Sequence, residues 1–445
     1  MTGIFKAYDM RGTVPEQINE NIAINIGKAF GTFRNNRVAK IYVGGDSRES
    51  TKEIKKAFID GLLSTGCNVV DVGTATTPLM IFCAGNYDSV AVNVTASHNP
   101  KNYNGFKFFD LGGVPIGYED GLKNVENIFR RSDFVEGEGK LEVFNPREEY
   151  TTHLIGSLGL TGVGLKIVVD CMNGSGSSID PFVLEKLGAE VLKIRCDGSG
   201  DFPDSGPNPS EKNLDELKIK VIETGADLGL AFDGDGDRLA VVDNTGKFVE
   251  PKHIFSLLIK NTGLDANNFN VVRDIVSSNA VDDVAKMSGG NAIICRVGHT
   301  YIAQKSMETE SLLSGELSGH YYFKETFYGD DALFAGMKLI QYLVRQRKKL
   351  SECLEGLPVY FSNAFYTKVN DDAQKIINQL KNKFTEEYGE IDTMDGVKVN
   401  FENGWMLFRA SHTEPKILIV YESKNKDELE KIEAIVNKNL DGIRI

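Results

Sequence analysis

What most restricts the fold of this chain is an alternation of short apolar runs with helix-spaced apolar positions that starts afresh several times. Ile41-Tyr42-Val43 is one such run, ended by Gly44-Gly45. After it, Ile54, Phe58 and Leu62 fall on one face of a helix, with Gly66 a fitting C-terminal stop. Val69-Val70-Asp71-Val72-Gly73 and Val90-Ala91-Val92-Asn93-Val94 then read as buried strands. A strand–helix–strand rhythm of this kind builds α/β layers on a largely parallel sheet. It restarts at Lys166-Ile167-Val168-Val169-Asp170, where a Gly/Ser turn over residues 174–178 leads into a helix over 182–187 and Gly188. A third unit begins near Pro251, with strands expected over 270–275 and 292–297 and a long helix over 332–344. The basic run 345–349 suits the negative end of that helix dipole.

Beyond Gly356-Leu357-Pro358 the pattern changes. Strands over 359–369, 397–401, 405–409 and 417–421, with helices over 374–384 and 427–440, describe an α+β domain. The expected division is therefore 1–150, 151–250, 251–358 and 359–445. A chain of 445 residues is too long for one compact core, and an apolar content of 41% is enough for several. The three restarted α/β units are a candidate internal structural repeat, with no sequence self-similarity to prove it.

Charge narrows the partners. A formal net charge of -13, spread along the chain, repels a polyanion such as DNA or RNA, so no nucleic-acid partner is expected. Local basic pockets for a small phosphorylated ligand stay open. The six cysteines lack zinc or CxxC spacing, and in a chain this large they read as buried thiols rather than a disulfide framework. The N-terminal stretch has no apolar leader core and no apolar run reaches membrane-spanning length, so the expectation is a cytoplasmic enzyme without a membrane partner.

Four strings carry chemistry. Asp233-Gly-Asp-Gly-Asp-Arg238 follows an apolar strand over 228–232; alternation lets Asp233, Asp235 and Asp237 converge while the glycines let the backbone curl round an ion. Hard cations such as Mg²⁺ take such oxygen ligands. An EF-hand loop is excluded, since its sixth position is Arg238 and its twelfth Asn244; a solvated acidic turn is the plain alternative. Thr95-Ala-Ser-His-Asn-Pro100, followed by Tyr103-Asn104-Gly105-Phe106-Lys107, lies at the end of the strand over 90–94, where α/β sheets place ligands. Ser97 is outside a G-x-S-x-G elbow, and Ser97 with His98 alone is equally a hydrogen-bonded turn. Beside the aspartates it reads as a serine carrying phosphate, with Mg²⁺ bridging the two, and Lys107 as proton carrier or phosphate contact. In Gly315-Glu-Leu-Ser-Gly-His320, Glu316 and Ser318 suit adjacent sugar hydroxyls. In Arg409-Ala-Ser-His-Thr-Glu-Pro415, Arg409, Ser411 and Thr413 suit a phosphate, or make a plain hairpin connection. Arg11 stands in a turn within Tyr8-Asp-Met-Arg-Gly12, and His299 follows a strand in Arg296-Val-Gly-His-Thr-Tyr301.

Taken in order from Phe5 to Pro415, these strings resemble the α-D-phosphohexomutase superfamily, in particular its phosphomannomutase/phosphoglucomutase branch. The resemblance implies an α/β fold: three α/β domains with mixed sheets sharing a common core, plus a smaller α+β C-terminal domain, around a central cleft. It implies that Ser97 is the phosphoserine, with Asp233, Asp235 and Asp237 completing the metal ligands. Arg11, Arg238 and Lys107 resemble the basic residues beside the transferring group, and His299 a substrate-contacting histidine that assists proton transfer. Tyr8, His98 and His320 join the substrate contacts, Glu316 and Ser318 the sugar readers, and Arg409, Ser411, His412 and Thr413 the loop for the non-reacting phosphate. His412 departs from the usual Asn or Gly. A cleft lysine carried in a D-V-K string by some members is also missing; Arg273-Asp274-Ile275-Val276 stands there, so Arg273 or another residue replaces it, or the contact is absent.

The activity implied is interconversion of hexose 1- and 6-phosphates of mannose, glucose or both, with Mg²⁺ as cofactor and glucose 1,6-bisphosphate as activator. A phosphoglucosamine mutase, a metal-dependent phosphatase and a catalytically silent sugar-phosphate-binding regulator are the alternatives. The silent reading expects loss of Ser97 or of an Asp in the trio, and all four are present. Oligomeric state is not encoded in any of these strings.

Overall fold

The computed structural model describes residues 3–34, 38–202, 206–369, 372–411 and 416–440. Their strands form four separate sheets. The first runs edge to edge through Met10–Thr13, Tyr103–Phe109, Val90–Val94, Ile41–Gly45, Val69–Thr74 and Leu141–Val143. The last four of these are mutually parallel, and the first two are antiparallel to their neighbours. The second sheet takes Phe248–Val249, Leu239–Asp243, Leu228–Phe232, Lys166–Asp170 and Glu190–Ile194, the last three parallel. The third takes Gly290–Cys295, Phe269–Asp274 and Leu313–Gly315 in parallel, then Tyr321–Phe323 antiparallel.

The three sheets repeat one device. A strand at the border of the parallel run turns back onto an antiparallel neighbour, and that connection carries a chemical string: residues 95–102, 233–238 and 316–320. The structural repeat that the restarted α/β rhythm raised is thus one of topology. The fourth sheet, Phe361–Lys368, Lys416–Ser423, Gly404–Ala410 and Val397–Asn400, is antiparallel throughout, and Arg409 lies at the end of one of its strands.

Helix ends move for local reasons. The helix expected over 332–344 runs Ala332–Gln346, started by the Asp331 carboxylate, which accepts from the Phe334 N–H at 2.8 Å. The C-terminal-domain helix extends to Ala373–Tyr388. Thr77–Asn86 escaped the periodicity argument because it is buried on every side, from Leu79 and Met80 to Phe82 and Cys83, and so shows no polar face. One cysteine expectation is corrected: Cys171 and Cys196 are joined as a disulfide at the ends of adjacent parallel strands, while Cys67, Cys83, Cys295 and Cys353 are free. Their separation of 25 residues hid a pairing that the sheet register creates.

A continuous apolar core runs from Leu79 and Phe82 through Ile167 and Leu230 to Leu257 and Phe334, joining the first three sheets into one frame. The far side of the first sheet packs Phe30, Phe58, Phe106 and Phe108. The C-terminal domain has its own core around Phe384, Phe408 and Val436. It docks on the third sheet through Trp405, Leu407, Leu418 and Val420 against Ile275 and Val276. Among the described residues no helix is long and apolar enough to cross a membrane. Phe108, whose ring centroid lies 4.6 Å from that of Phe30, tests the first-domain core. Phe108→Ala should cost about 3–5 kcal/mol, read as an earlier first transition in urea unfolding.

Candidate active site

Ser97 is held in place from below. The Thr95 hydroxyl accepts from the Ser97 N–H at 2.8 Å and donates to Asp46 at 2.7 Å. Asp46 also pairs with Arg48, whose guanidinium donates to the carbonyls of Ser97 and Asn99, each at 2.7 Å, and of Pro100 at 2.7 Å. Arg48 and Asp46 are both buried. Ser97 itself has φ of 51°, a left-handed conformation uncommon outside glycine and typical of backbone constrained at a functional site. Arg11 holds the loop from the cleft side, donating to Asn99 Oδ1 at 2.7 Å while Asp9 takes its Nε at 2.8 Å.

The serine hydroxyl donates to Asp233 Oδ2 at 2.9 Å and lies 3.1 Å from His98 Nδ1. The two loops approach so closely that a Cβ on Gly234 would stand 2.7 Å from the Ser97 carbonyl oxygen; only glycine fits there. Asp233, Asp235 and Asp237 are fully buried, and one carboxylate oxygen from each lies within 4.8 Å of the others. Asp235 Oδ1 is buried without a hydrogen-bond partner, and Asp237 Oδ1 faces only His320 Nε2 at 3.3 Å. Three dry carboxylates, one with an orphaned oxygen, fit a divalent cation of the hard, oxygen-seeking kind. Burial, then Asp237 and Asp235, push Asp233 well above the usual carboxylate range.

Lys107 reaches across from the first sheet, 2.8 Å from Asp235 Oδ2 and in close contact with Asp237 Oδ2. Burial opposes its charge, but Asp235 and Asp237 outweigh it and raise Lys107 above an ordinary lysine. It is therefore a fixed cation. His98 and His299 are both driven well down, chiefly by burial and then by neighbouring cations, Arg238 for the first and Lys107 for the second. These two rings are neutral. His320 lies 3.3 Å from Asp237 Oδ1, and its Nδ1 is 2.7 Å from Ser318 Oγ. Burial lowers it and Asp237 raises it, with a net upward shift. Arg238 Nε can donate to His320 Nε2, 3.4 Å away, only while that nitrogen is unprotonated.

Glu316 accepts from Gly298 N–H at 3.2 Å and from the Tyr322 hydroxyl at 2.6 Å. The Tyr8 ring packs edge-on against His299 at 5.6 Å and Tyr301 at 5.7 Å. A cavity of about 520 Å³ gathers Tyr8, Arg11, Ser97, His98, Lys107, Arg238, His299, Glu316, Ser318 and His320 from three domains. It also exposes Lys6, Gln17, Asn99 and Tyr103, which sequence reasoning had not singled out. Arg409 stands outside this lining, paired with Asp395 at 2.8 Å. Ser411 is the last described residue before the loop; His412 and Thr413 lie outside the described residues. Arg273 takes no part in the cavity: its guanidinium is spent on Asp282 at 2.6 Å and on nearby backbone carbonyls. Arg48 and Asp46 were legible only as Gly44-Gly45-Asp-Ser-Arg48, a turn after a strand adjacent to Val90–Val94.

A hydroxyl set against buried carboxylates and ringed by arginine and lysine is the equipment of a phosphotransferase. Comparison with known proteins agrees. Residues 2–136, 148–246 and 250–360 match the alpha/beta/alpha domains I, II and III of phosphoglucomutase/phosphomannomutase, and residues 366–438 match its C-terminal domain. The chain is 34% identical to a phosphomannomutase/phosphoglucomutase of Pseudomonas putida, over 98% of this chain and 95% of that one. It is 33% identical to a phosphoglucomutase/phosphomannomutase of Thermococcus kodakarensis, covering 96% of each. A crystal structure of a phosphoglucomutase/phosphomannomutase family protein from Burkholderia thailandensis superposes with a TM-score of 0.90 at 31% identity, over 99% of this chain and 97% of that one. The chain belongs to the phosphoglucomutase/phosphomannomutase family.

The carboxylate trio yields a prediction. A cation must displace the proton that the raised Asp233 retains, so Mn²⁺ affinity of the unphosphorylated protein should go on rising with pH above about pH 5, where an ordinary carboxylate is already ionised. Asp235→Asn should weaken binding by at least about tenfold. Calorimetric titration of Mn²⁺ at several pH values checks both; a flat pH dependence would count against proton competition at Asp233.

Proposed function

We propose that this protein interconverts the 1- and 6-phosphates of a hexose, mannose and glucose alike, through phosphorylated Ser97 and a hexose 1,6-bisphosphate. The observation that carries the reading is the Ser97 hydroxyl 2.9 Å from Asp233, in the same cavity as Glu316 and Ser318. In the first half-reaction the bond between Ser97 Oγ and phosphorus breaks as the substrate's free hydroxyl oxygen bonds to that phosphorus. The hydroxyl proton leaves to a neutral imidazole. Lys107, held charged by its two aspartates, is a contact for the moving phosphoryl group rather than the base. Of the imidazoles facing the cavity, His98 and His299 are driven towards the neutral form by burial, whereas His320 beside Asp237 is shifted upward.

Asp233, Asp235, Asp237 and the phosphorylated Ser97 would hold Mg²⁺, which supplies charge neutralisation on the group in flight. Arg11 and Arg238 add fixed positive charge. The bisphosphate then turns end for end, and its other phosphate returns to Ser97. Arg409 and Ser411, with His412 and Thr413, hold whichever phosphate is not reacting. Glucose 1,6-bisphosphate, as activator, would recharge an enzyme that has lost its phosphate.

Glu316 and Ser318 reach the 3- and 4-hydroxyls in this reading. Oε1 of Glu316 keeps a lone pair beyond that given to Gly298, whereas Oε2 faces both the Tyr322 hydroxyl and His320 Nδ1. Glucose and mannose share these hydroxyls and differ at the 2-position, so both should react. The test is a coupled assay of glucose 1-phosphate and mannose 1-phosphate with Mg²⁺ and a trace of glucose 1,6-bisphosphate. Both 6-phosphates should form, and Ser97→Ala should lose at least about a thousandfold in kcat. Free sugar with inorganic phosphate would mean a phosphatase, and turnover of glucosamine 1-phosphate alone would mean the neighbouring specificity.

A further inference from the structure

Asp395 belongs to none of the chemical strings, yet it stands where three domains meet. Its Oδ2 accepts from Arg409 Nε at 2.8 Å and from the backbone N–H of Val297 at 2.9 Å. Arg409 shares its domain; Val297 belongs to the third domain and leads directly to His299. The carbonyl of Val297 is taken as well, by the Tyr8 hydroxyl of the first domain at 2.9 Å. The next residue, Gly298, gives its N–H to Glu316 at 3.2 Å. Gly298 has φ of 135°, and a Cβ there would lie 2.6 Å from the Tyr8 ring. Both polar groups of one peptide segment are thus gripped by side chains from two other domains, and the grip is transmitted to a sugar reader and to the start of the His299 helix.

The charge pair is dry: Arg409 and Asp395 side chains are 8% and 6% exposed. A buried guanidinium needs a paired carboxylate and further acceptors for its remaining N–H groups. Here the same carboxylate oxygen also reaches a backbone donor of the neighbouring domain. Its bond to Nε fixes the plane of the guanidinium and leaves the terminal nitrogens, which have no hydrogen-bond partner among the described residues, for an incoming phosphate.

We propose that Asp395 is a positioning residue for phosphate capture: it orients Arg409 and, through Val297, sets the C-terminal domain at its working distance from His299 and Glu316. This rests on the mutase reading above. The non-reacting phosphate and the sugar ring are then engaged in one closed arrangement, whereas transfer from phosphoserine to water, which needs no distal phosphate, does not depend on Asp395.

The experiment compares Asp395→Ala, Asp395→Asn, Arg409→Ala and the double variant Asp395→Ala/Arg409→Ala in steady-state mutase assays, with decay of phospho-Ser97 in water measured alongside. Asp395→Ala should raise KM for the hexose phosphate at least about tenfold with a smaller fall in kcat. Asp395→Asn, which keeps the accepting oxygen but loses the charge, should fall between it and the wild type. In the Arg409→Ala background the added loss of Asp395 should change KM less than about twofold, because the two act as a unit. Phosphoserine decay in Asp395→Ala and Asp395→Asn should match the wild type. An unchanged KM in Asp395→Ala, additive losses in the double variant, or phosphoserine decay altered together with KM would overturn the inference while leaving the mutase reading intact. Absence of hexose phosphate turnover by the wild type would sink the mutase reading, and this inference with it.

Discussion

An ammonium group between two buried carboxylates, Lys107 against Asp235 and Asp237, is the contact on which the rest of the site depends. Three carboxylates at zero exposure repel one another in a medium that screens poorly, and such a cluster persists only with opposite charge brought into it. Lys107 comes from the first sheet and the aspartates from the second, so the compensation also joins two domains. Thr77 reinforces the seam, donating its hydroxyl to Asp235 Oδ2 at 2.7 Å and its N–H to the Asp235 carbonyl at 2.8 Å. Ser97 is aligned against Asp233 because the hairpins on either side of it cannot slide past each other.

Catalytic geometry in this molecule follows from a single topological habit. In three sheets the connection from a parallel strand to an antiparallel neighbour projects at the carboxyl end of the run, where backbone groups are unpaired and side chains converge. One connection brings Ser97, the proposed phosphate carrier, one the aspartates proposed to hold the metal, and one Glu316 and Ser318, the proposed sugar readers. The continuous core beneath them, from Phe82 to Leu230 to Phe334, makes their separations a property of packing rather than of loop conformation.

How much of this could be read from residues alone differs by kind. Strand and helix order was legible because apolar spacing reports burial directly, and it failed at Thr77–Asn86, where burial on all sides erases the period. The chemical strings were legible because glycines, aspartates and serine at fixed spacing have few other uses. Arg48 and Asp46 were not, since Arg48 bonds backbone carbonyls about fifty residues away while Asp46 holds Arg48 and Thr95, and carbonyls leave no mark in a sequence. Arg273 looked available for the cleft and is instead consumed by Asp282, one helical neighbour whose relevance only the fold reveals. The disulfide between Cys171 and Cys196 and the reach of Asp395 to Val297 are likewise products of register and docking.

Because Ser97, the three aspartates and the Glu316–His320 loop come from three successive sheets, the cavity has no existence in any one part of the chain. During synthesis the first domain emerges with the Ser97 loop but without the aspartates opposite it, and the second completes the charge cluster before residues 316–320 are made. The cavity that Ser97 faces is complete only once residue 320 has been made and packed. A fragment ending before the third sheet would lack both that wall of the cavity and the part of the shared core that the third sheet supplies.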